Sequence, residues 1–285
     1  MIQFEQLTKR FKRHTVLDNI DLNIGVGDRV ALIGSNGAGK TTLIRCLLGE
    51  YTFDGSVTVG GISPRDARRE VLKHIGFVPQ LPPPLRMPVG QLINFAASLC
   101  DSDPAQMEGV IERMGLDPAR IRKQPFVKLS GGQKQKLLIG IALGRESDIL
   151  IMDEPAANLD PEARHVFFSL LAEKQEHSAM IISSHRLDEV AALVNRVIEM
   201  DQGKVVLDDH VADDVDIDSN LHCRIELKRP EPAFNKAVGD WGFSSASDGT
   251  VWQGIVAGPD RLRFIGFISR YTALLKSISM DEESR

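Results

Sequence analysis

Apolar and polar residues alternate through IQFEQLTKRF (residues 2–11) and VLDNIDLNI (16–24), which predicts two half-buried strands. A short apolar strand is predicted over 30–33. It runs directly into a glycine-rich stretch, and KTTLIRCLLG behind it has helical spacing. Strand, glycine loop and helix in that order make a phosphate cradle. Downstream, the pattern predicts a strand and turn over 55–61, a charged helix over 66–73 and a strand in HIGFVPQ ending near Gln80. The proline-rich LPPPLRMP interrupts it. VGQLINFAASLC and PAQMEGVIERMGL then read as amphipathic helices of an insert that runs to about Leu129. DILIMDEP returns to a buried strand that ends in acids. A helix over 162–176, a strand over 179–183, a helix over 187–193 and strands at RVIEM and KVVLD complete this part.

Alternating strands and helices predict an α/β core over 1–209, with a helical subdomain at about 88–145. An acid-rich stretch, DDHVADDVDID, predicts a linker over 210–219. Beyond it, HCRIELKR and TVWQGIVA read as strands, while 232–241 and RLRFIGFISRYTALLKS read as helices. Residues 220–285 are thus expected to form a small α+β unit with a disordered tail, MDEESR. No internal repeat suggests a second copy of either part.

The 285 residues are 42% hydrophobic and 26% charged, a globular balance. A net charge of −5 weighs against direct nucleic-acid binding. Cys46, Cys100 and Cys223 form no CxxC pair or Cys/His cluster, so indifferent thiols are expected rather than a metal site. The first residues lack the apolar stretch of a secretory signal. No apolar run has the length of a bilayer span. The chain is therefore expected to be soluble by itself and to meet a membrane only through a partner.

Gly34-Ser35-Asn36-Gly37-Ala38-Gly39-Lys40-Thr41 fits GxxxxGK[ST], with a strand before it and a helix after it. Glycines let backbone N–H groups turn toward phosphate oxygens, and the helix adds its N-terminal dipole. Lys40 is expected to reach the β and γ phosphates and Thr41 to offer its hydroxyl to Mg²⁺; Thr42, next in the helix, is counted with the nucleotide-binding residues. Asp153 ends the apolar run 149–152, where a carboxylate beside the phosphate loop can hold Mg²⁺ directly or through water. Glu154 follows as the candidate general base. Leu129-Ser130-Gly131-Gly132-Gln133 would match a fixed pentapeptide by chance about once in a million starting points. Ser130 can cap a helix running from Gly132 onward, and that helix start can bind an anion. One phosphate loop and a second anion-binding helix tip exceed the needs of one site in one chain, which hints at a composite site.

Together these motifs resemble the nucleotide-binding subunits of the ABC transporter family, over roughly residues 1–209. The resemblance implies a P-loop ATPase core that binds ATP and Mg²⁺. It also implies that LSGGQ of one subunit covers the γ-phosphate held by the other. Phe11 matches the aromatic that stacks on adenine. Gln80, in FVPQ, matches the glutamine that senses Mg²⁺ and γ-phosphate beside the membrane-partner contact. Asn158-Leu159-Asp160 matches the loop that communicates between sites. His185, in SSHR, matches the histidine that contacts the γ-phosphate and orients Glu154 and water. Two positions depart from the pattern: Ala156, where a hydroxyl is common, and Asn158, where a small residue is usual. Neither removes a catalytic group.

The family further implies a homodimer or a pair with a paralogous ATPase subunit, a separate transmembrane permease subunit, and a peripheral place on the cytoplasmic face of the plasma membrane. The layout with a C-terminal unit is similar to ATPase subunits serving ABC-2-type transporters. One variety of these is the copper-related subunit that supports nitrous oxide reductase maturation. An ABC-type ATPase acting on DNA or ribosomes is the competing class. Relatives of that kind carry a long coiled coil or two ATPase units in one chain, and neither pattern is seen here. A module that binds ATP without turnover is the third reading, opposed by the presence of Glu154 and His185.

Overall fold

The computed structural model describes all residues except 1, 175–177, 185–189, 211–219, 240, 248, 258–263, 265–266, 269–270, 272–273 and 283–285. The predicted linker therefore lies almost wholly outside the described residues, as do His185 and residues 187–189 of the helix expected over 187–193; Ala191–Leu193 form a short 3-10 helix. The chain divides into two compact units, 1–185 with 193–211, and 186–192 with 212–285.

The first unit is built on a six-stranded sheet. Its strands are β3 (Arg29–Ile33), β5 (Ile75–Val78), β6 (Ile149–Asp153), β7 (Ala179–Ser183), β8 (Arg196–Asp201) and β9 (Lys204–His210). The spatial order is β5-β6-β7-β3-β8-β9, parallel except for β9, which returns antiparallel along β8. All five residues of β6 and of β7 are buried. That is why these segments read as continuous apolar runs: a parallel sheet is covered on both faces. A second, antiparallel sheet has the order β2-β1-β4, from β1 (Ile2–Phe11), β2 (His14–Ile24) and β4 (Asp54–Val59). The alternation seen in residues 2–11 and 16–24 follows from its one-sided burial. Helix α1 (Lys40–Leu47) buries Leu43, Ile44 and Leu47 in the core these sheets share.

A helical layer follows the short helix α2 (Arg68–Lys73) and β5. It consists of α3 (Val89–Leu99), α4 (Pro104–Arg113), α5 (Pro118–Ile121) and α6 (Gly131–Leu143). Its own apolar cluster includes Val89, Ile93, Met107, Ile111, Phe126 and Leu137. The starts of α4 and α5 are set the same way. Asp103 and Asp117 accept a backbone N–H of the first turn, and a proline follows each as the first helical residue. Helix α7 (Pro161–Ala172) is capped by Asp160 and again begins with proline.

In the second unit, α8 (Pro232–Gly239) accompanies an antiparallel sheet of order β11-β12-β10-β13. Its strands are β10 (Asn220–Leu227), β11 (Ser244–Ser247), β12 (Val251–Ala257) and β13 (Leu275–Glu282). Here the sequence reading needs correction. Residues 275–277, expected as the end of a helix, and Met280, Asp281 and Glu282, expected as disordered tail, form the edge strand β13, paired with β10 from Leu221↔Glu282 to Leu227↔Leu275. The exposed run from Lys276 to Ser279 carries no alternation that would announce a strand; the backbone ladder to β10 makes it one. β11, all small residues, was missed for the same reason. Among the described residues no helix is long and apolar enough to cross a membrane.

Candidate functional site

Three neighbouring strands, β6, β7 and β3, end side by side, and the loop ends of a parallel sheet are where α/β folds place ligands. The loop leaving β3 is forced into its shape by glycine. At Gly34 φ is +144°, and a Cβ there would lie 2.2 Å from the Met200 carbonyl oxygen. Gly39, with φ +110°, turns the chain into α1. Ser35, Asn36 and Gly37 are exposed, while Ala38, Gly39 and Lys40 are buried.

The Lys40 ammonium donates to the carbonyls of Gly34 at 2.6 Å and Ser35 at 3.1 Å, folding back over the loop it belongs to. Burial pushes its pKa below the ordinary lysine value, and the charges of Glu154 and Asp153 offset part of that. The Thr41 hydroxyl donates to Asp153 Oδ2 at 2.9 Å. Asp153 is 3% exposed at the end of β6. A hydroxyl and a carboxylate oxygen this close, both hard donors, suit Mg²⁺.

Glu154 leaves the strand in the left-handed conformation, φ +49°. A non-glycine residue there is uncommon and costs backbone strain. Its backbone N–H is held by the Ser183 carbonyl at 3.2 Å and the Ser183 hydroxyl at 3.0 Å. Gln80, just past β5, donates from Nε2 to Glu154 Oε2 at 2.9 Å. Lys40, Thr41, Asp153, Glu154 and Gln80 therefore converge on one locus. Thr42 occupies the first turn of α1, half-buried.

Phe11 ends β1 and is 41% exposed. Its ring meets Tyr51 edge-on, centroids 5.2 Å apart, and the Lys9 ammonium lies 4.7 Å from its centroid. Arg45 fixes Tyr51 through a 2.8 Å bond to its hydroxyl.

Ser130 and Gln133 form a reciprocal capping box: Ser130 Oγ accepts the Gln133 N–H at 3.2 Å, and Gln133 Oε1 accepts the Ser130 N–H at 3.0 Å. The helix starts at Gly131, one residue earlier than expected. Ser130 and Gly131 are exposed, and among the described residues no hydrogen bond joins 130–133 to 34–42. Instead, α6 is fastened to the loop that follows Glu154. Gln135, fully buried, donates to the Pro155 carbonyl at 2.9 Å, and Lys136 pairs with Asp160 at 2.9 Å. Asp160 also accepts the Ala163 N–H, and that bond, with Lys136, holds its pKa below the usual carboxylate value. A side-chain carbon on Gly132 would come within 3.3 Å of the Asn158 carbonyl oxygen.

Ser183, Gln135, Lys136 and Tyr51 were not singled out in the sequence. Ser183 is the first serine of SSHR, two residues before the histidine; Gln135 lies two residues beyond the LSGGQ pentapeptide and Lys136 three.

A family model for ABC transporters matches residues 17–157. The zinc import ATP-binding protein ZnuC of Marinobacter nauticus is 34% identical over 210 residues, covering 71% of this chain and 75% of that protein. The chain belongs to the ABC transporter family, as an ATP-binding subunit. With that membership goes ATP hydrolysis. The human ATP-binding cassette sub-family A member 10 is 35% identical over 195 residues; these cover 66% of this chain and only 13% of that much longer protein. A bacterial ABC transporter cassette solved as a dimer has the same fold, with a TM-score of 0.66 at 24% identity, covering 74% of this chain and 99% of that one.

Proposed function

We propose that two copies of this chain, or one copy and a paralogue, close over two ATP molecules and so drive a separate membrane-spanning partner. The observation that carries this is the separation of two phosphate-binding parts. The loop 34–41 has a metal-donor pair in Thr41 and Asp153, and the base Glu154, bonded to Gln80, follows Asp153 directly. The capped start of α6 is exposed at Ser130 and Gly131, and among the described residues its side-chain partners lie within its own turn and in the 155–160 loop. A helix tip of that kind attracts an anion, and the nucleotide bound to a facing chain supplies one. The related cassette solved as a dimer supports the reading.

In this account the 34–41 backbone and Lys40 cradle the β and γ phosphates, and Phe11 stacks on the base. Thr41 and Asp153, with Gln80 beside them, would hold Mg²⁺, which neutralises charge on the phosphates when bound. Glu154 accepts a proton from the attacking water, and Ser130 to Gln133 close the site from the facing chain, with Asp160 in the loop between the sites. His185 is assigned the γ-phosphate contact on resemblance alone. Positioning and electrostatics supply most of the acceleration in phosphoryl transfer, and apart from the base Glu154 each of these residues positions or neutralises.

The partner is expected to be of the ABC-2 type, one variety of which is served by the copper-related subunit of nitrous oxide reductase maturation. Support for this is a single cassette followed by a small α+β unit. The chain is accordingly placed on the cytoplasmic face of the plasma membrane. Detergent extraction of membranes from its own cells, with this chain tagged, tests the assignment. A multi-span membrane protein should co-purify. Recovery with ribosomes or DNA and no membrane protein would overturn it.

A further inference from the structure

The hydroxyl of Ser183 joins two groups to which separate tasks have been assigned. It donates to Asp153 Oδ1 at 2.5 Å and accepts the Glu154 backbone N–H at 3.0 Å. Ser183 is 0% exposed, the last residue of β7, on the strand that lies between β6 and β3. We propose that Ser183 is a positioning residue that aims the Asp153 carboxylate at the metal and holds the Glu154 backbone in its left-handed turn.

The geometry divides the labour. Asp153 has two oxygens. Ser183 takes Oδ1 and Thr41 takes Oδ2, so the carboxylate plane is fixed at both ends. A carboxylate that must receive a metal gains from a partner on its far oxygen, and loss of such a partner typically costs about 10–100-fold in metal affinity or activity. The second half concerns Glu154. A residue at φ +49° relaxes toward ordinary backbone unless its neighbours hold it, and Ser183 holds its N–H through two bonds. Only one of them uses the hydroxyl. Removing that hydroxyl leaves the carbonyl bond at 3.2 Å, so Glu154 should be loosened less than Asp153.

The inference rests on the proposed roles of Asp153 and Glu154, and the experiment separates the two. Mn²⁺ binding to the ATP-loaded chain is followed by electron paramagnetic resonance in the wild type, Ser183→Ala, Ser183→Thr, Asp153→Asn and Glu154→Gln. ATP binding in EDTA is measured alongside. For Ser183→Ala the expected result is Mn²⁺ affinity weakened roughly 10-fold or more, metal-free ATP affinity unchanged, and kcat at saturating metal lowered only about 2- to 5-fold. Ser183→Thr, which restores the hydroxyl, should bring Mn²⁺ affinity back. Wild-type Mn²⁺ affinity in Ser183→Ala, with Asp153→Asn weakened, would overturn the role of Ser183 alone. Loss of metal-free ATP binding in step with Mn²⁺ would make Ser183 a packing residue and also overturn it. Unchanged Mn²⁺ affinity in Asp153→Asn, or normal hydrolysis in Glu154→Gln, would instead overturn the assignments beneath it.

Discussion

Replacing Glu154 by glutamine isolates one property of the site. The carboxamide has the same shape as the carboxylate. Its oxygen can still accept the Gln80 Nε2–H bond now made at 2.9 Å. The backbone N–H of residue 154 keeps both bonds to Ser183, at 3.0 and 3.2 Å, so the left-handed turn survives. Lys40 keeps its bonds to the Gly34 and Ser35 carbonyls, and Thr41 keeps its bond to Asp153. What disappears is the carboxylate's charge: its capacity to take a proton and, with it, the negative charge that partly offsets the lowering of the Lys40 pKa. General-base catalysis supplies about 10²–10⁴ in rate. At 1.36 kcal/mol per decade this is about 2.7–5.4 kcal/mol of barrier. Single-turnover hydrolysis of labelled ATP should slow by that factor, while ATP affinity in the presence of Mg²⁺ stays within about 3-fold. Glu154→Asp, a base drawn back by one methylene, should fall between the two, since small misplacements of a catalytic group are costly. Wild-type single-turnover rate in Glu154→Gln refutes the assignment. So does a loss of ATP affinity as large as the loss of rate, because the residue would then be a binding group.

Phe11→Ala should weaken ATP binding by the worth of one base–aromatic contact, about 1–3 kcal/mol or roughly 5- to 150-fold, and leave competition by inorganic tripolyphosphate unchanged; calorimetric titration reads both. Gly34→Ala places a Cβ 2.2 Å from the Met200 carbonyl and should abolish nucleotide binding, with a lowered melting temperature. Arg196, 8% exposed, is held by both oxygens of Asp208, by Asp28 and by the Asn23 carbonyl, all at 2.7 Å. Arg196→Met should cost about 2–4 kcal/mol in urea unfolding, between an exposed and a fully buried pair. The Arg196 guanidinium holds the Asp208 pKa below its ordinary value. The stability this gives is complete above the ordinary carboxylate range and is lost as pH falls through the lowered value. The difference between wild type and variant should therefore shrink in acid; a gap that widens there would contradict the sign.

The α/β core was legible because β6 and β7 are buried on every residue and α1 follows its glycine loop without a gap. Thr41, Asp153 and Glu154 could be named because each stands at a fixed place relative to a strand end, and Gln80 because FVPQ resembles the family's pattern. Their bonding could not be read. Nothing in SSHR says that the first serine lies between an acid and a backbone N–H thirty positions away in the chain; that follows from β7 pairing with β6 in the register Asp153↔Ser183. Gln135 and Lys136 were invisible for a similar reason. Their partners, Pro155 and Asp160, lie across a contact between α6 and a loop, which no local pattern encodes. The second unit was least legible. β11 is four small residues and β13 a polar edge, both made strands by the ladders of their neighbours.

The account depends on a nucleotide shared between two chains. Sedimentation velocity of Glu154→Gln with ATP and Mg²⁺ tests this most directly. The variant should sediment at twice the mass of the chain. It should return to a single chain when ATP is omitted or when Ser130→Arg is added to block the facing helix tip. A Glu154→Gln chain that retains ATP yet sediments as one copy, or a dimer indifferent to Ser130→Arg, would contradict the composite site.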